Sequence, residues 1–542
     1  MASQVQQTQD VSVQIGNLQV QGFVNKAHKV ANFLGIQYAT IPARFRQSKL
    51  INLSEKSGVL DATRYGPRCP QNTVNRSETA HLYEGVRRSS EYPLDEFGCL
   101  RLNIYVPEGN QGPLPVLVWI HGGGFIFGDG NSEYDGNYLV KHALEKGKPI
   151  IFVAMNYRLG FFGFLTSKEL RAEASADGET PFSNMAMHDQ RVALLWIQKH
   201  IHHFGGDPFN TCIAGESAGG WSVLAHLRSD VPVCQRGIIL SSPNLDFPEP
   251  EEAQETFDEL VASTGVSPSA SAEEKLTALR NLDSMEIVRM MVPRLATPLW
   301  DDKWFVYQDG NRPIAGPAPF APWVKEIIAG STKHEAALFG VTQWRTWSSQ
   351  QFVDRVKSSF SNAELARELM NAYGISATSP AETCLQGFID MATDSIFTGL
   401  PFIIAEEPSV SPPISLYRFD QADTFSQSPL NGYAYHALDN SFFCRLPAVA
   451  GPDADPDVKE TADRLSAAAI DFAYGLQPWE TYSSNHAIMV FNGKKSGIAK
   501  LSEKDRWRRI TMSGDLARAK GTWRSGNKLL GIRHSSMDRD RA

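Results

Sequence analysis

Hydrophobic positions along this chain gather into short unbroken runs separated by longer amphipathic stretches. The runs at residues 102–106, 114–120, 150–155 and 237–240 are continuously apolar, as expected of strands buried on both faces. Residues 211–214 predict another strand, followed closely by a helix over 221–228. Residues 184–203 carry Met187, Val192, Leu195, Trp196 and Ile201 on or near one helical face. Strand-then-helix order repeated in this way predicts a mostly parallel sheet. Near the start, 11–24 alternates apolar and polar positions around Gly16-Asn17, the pattern of a small hairpin in a flanking sheet.

Beyond residue 240 the pattern changes to long helical segments rich in Glu, Ala and Leu, at 251–263, 272–291 and 350–372. Such insertions cover the C-terminal edge of a sheet, where ligands of open α/β sheets bind. Two late strands, 414–419 and 487–491, complete the sheet. With no linker, repeat or low-complexity tract, residues 1–542 are read as one α/β domain: a large, mostly parallel central sheet flanked by helices, with helical insertions over its C-terminal edge.

Composition narrows the function. Of 542 residues 42% are hydrophobic and 21% charged, an ordinary globular balance. The net charge of −8 argues against nucleic acid as the main partner, and the basic residues from Lys504 to Arg541 are read as a solvated end. The first ten residues lack the basic start and apolar run of a secretory leader, and no stretch is read as long enough to span a bilayer. The expected location is therefore the cytoplasm, without stable membrane insertion. A leader already removed would leave secretion open.

The chemistry centres on N-T-C-I-A-G-E-S-A-G-G at 210–220. A serine at a sharp strand-to-helix turn needs small neighbours two positions before and after it, and Gly215 and Gly219 flank Ser217 in that way. Ser217 is the expected nucleophile. The apolar run at 114–120 leads directly into His121-Gly122-Gly123-Gly124-Phe125, and only glycine lets backbone N–H groups approach a developing oxyanion so closely. If the base follows the serine in the chain, few of the thirteen histidines qualify. His226 follows too closely on the elbow helix, His486 precedes a strand and His534 lies in the charged tail. His436 is among those that remain. For the orienting acid, composition cannot choose among the carboxylates between Ser217 and His436.

These blocks resemble the type-B carboxylesterases, the family of carboxylesterases, cholinesterases and lipases. The resemblance rests on G-E-S-A-G-G at 215–220, N-Y-R-L-G-F-F-G-F-L at 156–165, D-Q-R-V-A-L-L-W-I and F-G-G-D-P within 184–208, and the glycine run at 121–125. It implies an α/β-hydrolase fold with an oxyanion hole of Gly123, Gly124 and Ala218. It also implies Glu335 as the acid, five positions after Gly330, although Ala336 stands where the family usually has glycine. It implies His436 as the base, because G-Y-A-Y-H-A-L-D-N is similar to the family's glycine-x-x-His block, with Asp439 at a usually acidic position. Ser241 is a candidate support for Glu335. Cys69 and Cys99 align with a pair that closes a loop in secreted members, while the absence of tryptophan between them removes the platform for a quaternary ammonium and makes choline esters unexpected.

The implied function is hydrolysis of carboxylic esters of small apolar or aromatic molecules through an acyl-enzyme on Ser217, with no cofactor. No metal is expected either, since the adjacent His202 and His203 are read as facing apart. The partner is a small ester, and a homodimer stays open. Trp300, Trp304, Trp344 and Trp347, which flank Glu335 in the chain, are candidate pocket walls. Activity is expected to fall below a pH of about 6 to 7, where imidazole titrates. An acyltransferase or lactone-forming enzyme with the same triad is one alternative, separable by product analysis with added alcohols. A non-catalytic ligand-binding or adhesion relative is the other, disfavoured by an intact Ser, Glu and His set.

Overall fold

The computed structural model describes residues 8–73, 77–84, 86–110, 112–244, 250–291, 298–301, 303–305, 319–406, 412–500 and 528–530. Its frame is a 13-stranded sheet. From one edge the strands run Thr8–Ile15, Asn17–Asn25, Val30–Gln37, Arg101–Pro107, Ile151–Met155, Leu114–Ile120, Gly206–Glu216, Arg236–Leu240, Glu326–Thr332, Ile414–Phe419, Ala487–Phe491 and Gly497–Lys500, with Ser57–Asp61 beside Asn17–Asn25. The interior, from Ile151–Met155 to Ala487–Phe491, is parallel throughout. The two margins are antiparallel, except that Ser57–Asp61 pairs parallel with Asn17–Asn25. The continuous apolar runs do become the doubly covered strands: every residue of Leu114–Ile120 and Ile151–Met155 is buried.

Strand order fixes where chemistry can happen. The chain leaves Leu114–Ile120 toward one side, to Ile151–Met155, and returns across it to Gly206–Glu216 on the other. A crevice opens at the carboxyl ends of strands where the direction of winding reverses. His121 and Ser217 begin at that point, because Ile120 pairs with Gly215 in register.

The helical insertions are more broken than their periodicity predicts. Residues 272–291 form two helices, Ala272–Asn281 and Ser284–Met290, because Asp283 caps the second by accepting from the Met285 N–H. Likewise 350–372 divides into Ser349–Ser359 and Ala363–Ala372, where the Asn362 side chain accepts from the Glu364 and Leu365 N–H groups. Cap chemistry wins over continuous amphipathicity at both sites. One further reading is corrected. Among the described residues the helical run Ala381–Glu406, 26 residues, is long and apolar enough to cross a membrane. Because 89% of its most apolar window is buried inside the fold, it is a core helix whose apolar faces are satisfied by protein. The basic tail lies almost wholly outside the described residues.

Candidate active site

Ser217 joins the strand Gly206–Glu216 to the helix Ala218–Leu227 with φ 56° and ψ −123°, a backbone conformation that a non-glycine residue adopts only when its surroundings enforce it. The enforcement is packing. A Cβ on Gly215 would stand 2.5 Å from the Gly219 backbone, and one on Gly219 would stand 2.0 Å from the Ile120 carbonyl oxygen. The Ser217 N–H donates to Leu240 O at 3.0 Å, tying the turn to the next strand.

The glycine run reaches the same point from the neighbouring strand. Gly123 and Gly124 have φ of 104° and 59°, and a Cβ on Gly122 would lie 3.1 Å from the Ser217 Cβ. Ala218 is the first residue of its helix, so its N–H has no intrahelical acceptor. The glycine run thus passes beside the serine, whose helix begins at Ala218.

Glu335 and His436 arrive on the loops after Glu326–Thr332 and Ile414–Phe419. Glu335 is wholly buried. Its Oε1 accepts from the Thr332 N–H at 2.6 Å and its Oε2 lies 2.5 Å from His436 Nδ1. The other ring nitrogen, Nε2, is 3.1 Å from Glu216 Oε1. The imidazole is therefore held between two carboxylates. Asn440 donates to Glu216 Oε2 at 3.1 Å, and Tyr417 donates its hydroxyl to Asp439 Oδ2 at 3.2 Å. Burial disfavours the imidazolium, yet the charges of Glu216, Glu335 and Asp439 together outweigh it and push His436 up to about 9. Asp439 is itself raised well above the usual carboxyl range by burial, then by Glu216 and Glu335.

Glu216 and Asn440 escaped sequence reasoning. Glu216 stands inside the elbow motif and Asn440 inside the histidine block, so their positions were visible while the directions of their side chains were not. Ser241 does not support Glu335. Its N–H donates to Gly330 O at 2.8 Å, its hydroxyl has no hydrogen-bond partner among the described residues, and the Thr332 N–H takes the expected role. The rejected histidines are occupied elsewhere: His226 meets Gln190 Oε1 at 3.1 Å and is lowered to about 3 by burial, and His486 packs edge-on against Tyr482. His534 lies outside the described residues.

The tryptophans are corrected too. Trp304 donates to Ala225 O at 3.2 Å beneath the Arg191 guanidinium, and Trp300 stacks on Phe305. Trp344 and Trp347 pack on Phe388. The rings against His436 are phenylalanines, Phe397 at 4.5 Å and Phe339 at 5.4 Å between centroids. Phe397 belongs to a π-helical stretch, Asp394–Thr398, a local widening often found at functional sites.

Cys69 and Cys99 are buried free thiols in contact, and the hydrogen bond with Cys69, reinforced by burial, raises the Cys99 thiol well above its ordinary range. His202 and His203 do not face apart: in a tight 3-10 turn their rings lie 3.9 Å from each other. Among the described residues no three His, Cys, Asp or Glu side chains are placed to hold a metal ion.

A strand–serine–helix elbow beside a buried histidine–glutamate pair, at the carboxyl edge of a parallel sheet, is the arrangement of an α/β-hydrolase. The sequence profile of the Carboxylesterase family matches residues 7–516, and the chain belongs to that family. The para-nitrobenzyl esterase of Bacillus subtilis (strain 168) is 30% identical over 469 residues, 83% of this chain and 86% of its own. Lipase 4 of Diutina rugosa is 29% identical over 401 residues, 65% of this chain and 68% of its own. A solved PNB esterase structure superposes with a TM-score of 0.71 at 26% identity, covering 92% of this chain and 99% of that one. The protein is a serine hydrolase acting on carboxylic ester bonds.

Proposed function

We propose that the protein hydrolyses carboxylic esters of small molecules bearing an apolar or aromatic group, with Ser217 as nucleophile, His436 as base and Glu335 as the acid that orients it. The Ser217 oxygen attacks the ester carbonyl while its proton passes to His436 Nε2. The carbonyl oxygen, now anionic, is held by the N–H groups of Gly123, Gly124 and Ala218. As the carbon–oxygen bond breaks, the imidazolium returns the proton to the departing alcohol and leaves an acyl ester on Ser217. Water repeats the sequence and frees the acid.

The observation that carries the substrate class is the pair of phenylalanine rings on His436. Phe339 and Phe397 lie 5.9 Å apart at 18°, and Phe339 remains 40% exposed, a flat apolar surface beside the base. Residues 1–542 would act as one domain, and the six free cysteines favour a reducing, cytoplasmic location, which cell fractionation tests. The reaction is tested with a fluorophosphonate probe and a panel of esters. The probe should label Ser217, identified by peptide mass, and aryl or benzyl esters should give higher kcat/KM than acetylcholine or long-chain triglyceride. Labelling of another serine, or preference for the choline ester, would reject this reading.

A further inference from the structure

The loop after Arg236–Leu240 holds buried polar side chains that the fold leaves unengaged. Leu240 accepts from the Ser217 N–H at 3.0 Å and pairs in register with Glu216, so Ser241, Ser242 and Asn244 follow directly beside the elbow. All three are buried, and Asn244 is only 3% exposed. Among the described residues the hydroxyls of Ser241 and Ser242 and both polar atoms of the Asn244 carboxamide have no hydrogen-bond partner. Such a carboxamide costs stability, and native interiors keep few groups of this kind without a reason.

Position singles out Asn244. Ser241 is tied by its N–H to Gly330 O at 2.8 Å, and the Ser242 Cα lies 3.4 Å from where a Cβ on Gly220 would stand, so both are packed between strand and elbow helix. Asn244 lies further out. Its N–H donates to Ile396 O at 2.5 Å, which seats it against the π-helical stretch whose next residue, Phe397, has its ring 4.5 Å from the His436 ring. Asn244 thus follows the strand beside the nucleophile and meets the segment that walls the base. The polar side chains of that segment are engaged elsewhere: Asp394 accepts from the Tyr373 hydroxyl at 2.8 Å, Ser395 donates to Ala392 O at 3.0 Å, and Thr398 meets Ser331 at 3.0 Å.

We propose that Asn244 is a specificity-determining residue of the ester site, hydrogen-bonding a neutral hydroxyl or amide group that the substrate carries in addition to its apolar or aromatic part. The proposal rests on the assignment of Ser217 as nucleophile. A carboxamide presents one accepting oxygen and a donating NH₂, so the group that satisfies it must donate and accept. Oδ1 would accept from the substrate's O–H or N–H while Nδ2 donates to its oxygen. A carboxylate or an ether oxygen would leave Oδ1 unpaired. Sites built to hydrogen-bond a substrate hydroxyl discriminate against analogues that lack it, because the protein group is then left buried and alone.

The test uses two substrate series, para-nitrophenyl hexanoates varied in the acyl half and benzyl butyrates varied in the alcohol half, each with a hydroxyl or a methoxyl at successive carbons. In the parent the best-placed hydroxyl should give about tenfold higher kcat/KM than its methoxyl counterpart. Asn244→Leu, close in volume, and Asn244→Ser, too short to reach, should bring that ratio near one. Asn244→Leu should melt no lower than the parent, because the carboxamide has no bond to lose; if it fails to fold, Asn244→Ser carries the test. A ratio near one in the parent at every position of both series, or a ratio that survives in both variants, would overturn the proposal. Fluorophosphonate labelling of the parent separates the two readings. With Ser217 labelled, those outcomes reject the role of Asn244 alone, whereas labelling of another serine would remove the site on which it rests.

Discussion

The serine side and the histidine side of the site are built on different principles. Around Ser217 the constraint is steric and local: strand, turn and helix lie so close that Gly215 and Gly219 leave no room for a methyl group. Around His436 the constraint is electrostatic and assembled from distant segments. Glu216, Glu335 and Asp439 surround one imidazole, and they come from three separate stretches of chain. A geometry set by backbone contact is insensitive to pH, whereas one set by three carboxylates is tuned by it. In the proposed mechanism the nucleophile is therefore positioned by packing and the readiness of the base is set by charge.

The sharpest way to separate the two sides is to remove each in turn. Ser217→Ala should lower kcat by about 10⁵-fold or more, with circular dichroism and melting unchanged, because alanine is smaller than the serine that the turn already accepts. Residual turnover near the parent level would move the nucleophile elsewhere. The next effect is on folding. Gly219→Ala should cost about 3 kcal/mol or more, since its Cβ would meet backbone at 2.0 Å and the elbow cannot yield. Gly147→Ala, at positive φ, unlike Gly219, but facing open space, should cost only about 1 kcal/mol. Equal melting temperatures for the two variants would show that the elbow is not held by contact.

The electrostatic side predicts a pH profile unlike that of a free histidine. A base must be neutral, so with His436 pushed up to about 9 kcat/KM should rise with pH through about 9 and not level off above 6 to 7. The linked stability has the opposite sign. A folded-state value above the unfolded 6.5 means stabilisation of about 3 kcal/mol that is complete below pH 6.5 and lost as pH rises through 9. Glu216→Gln removes one charge and should move the kinetic inflection from about 9 toward the ordinary histidine range near 6.5. At pH 7 the variant should then hold more neutral imidazole than the parent. An inflection that stays at 9 would leave Glu335 and Asp439 as its whole cause.

The same division explains what could be read in advance. The parallel sheet, the elbow and the glycine run were legible because they depend on neighbours in the chain: unbroken apolar runs, G-x-S-x-G, and three glycines after a strand. Glu335 and His436 were reached only through resemblance, since nothing local distinguishes Glu335 from other carboxylates. Glu216 was in plain view at the centre of the elbow, yet its contact with His436 depends on a loop more than two hundred residues away. The helix breaks at Asp283 and Asn362 were missed for a simpler reason: a polar cap inside an amphipathic pattern looks like one more polar position until its side chain turns back on the backbone.

The four tryptophans show the limit most clearly, and they supply the last and smallest prediction. Residues 335–347 run from Glu335 through Phe339 to Trp344 and Trp347, so all three aromatic positions are near the acid in the chain. Only Phe339 meets His436; the short helix Val341–Trp344 follows Gly340 and carries the tryptophans to the other side of the loop, onto Phe388. Proximity in sequence thus could not assign the pocket wall. If Phe339 is that wall, Phe339→Ala removes ring surface from the ester site alone. The loss should be about tenfold in kcat/KM for an aryl or benzyl ester, equivalent to ~1–2 kcal/mol of ring contact, with acetyl-ester hydrolysis changed much less. Trp347→Ala should leave the ratio of the two substrates where it was. The reverse pattern, selectivity lost with Trp347 and kept without Phe339, would return the substrate to the tryptophan side of the loop.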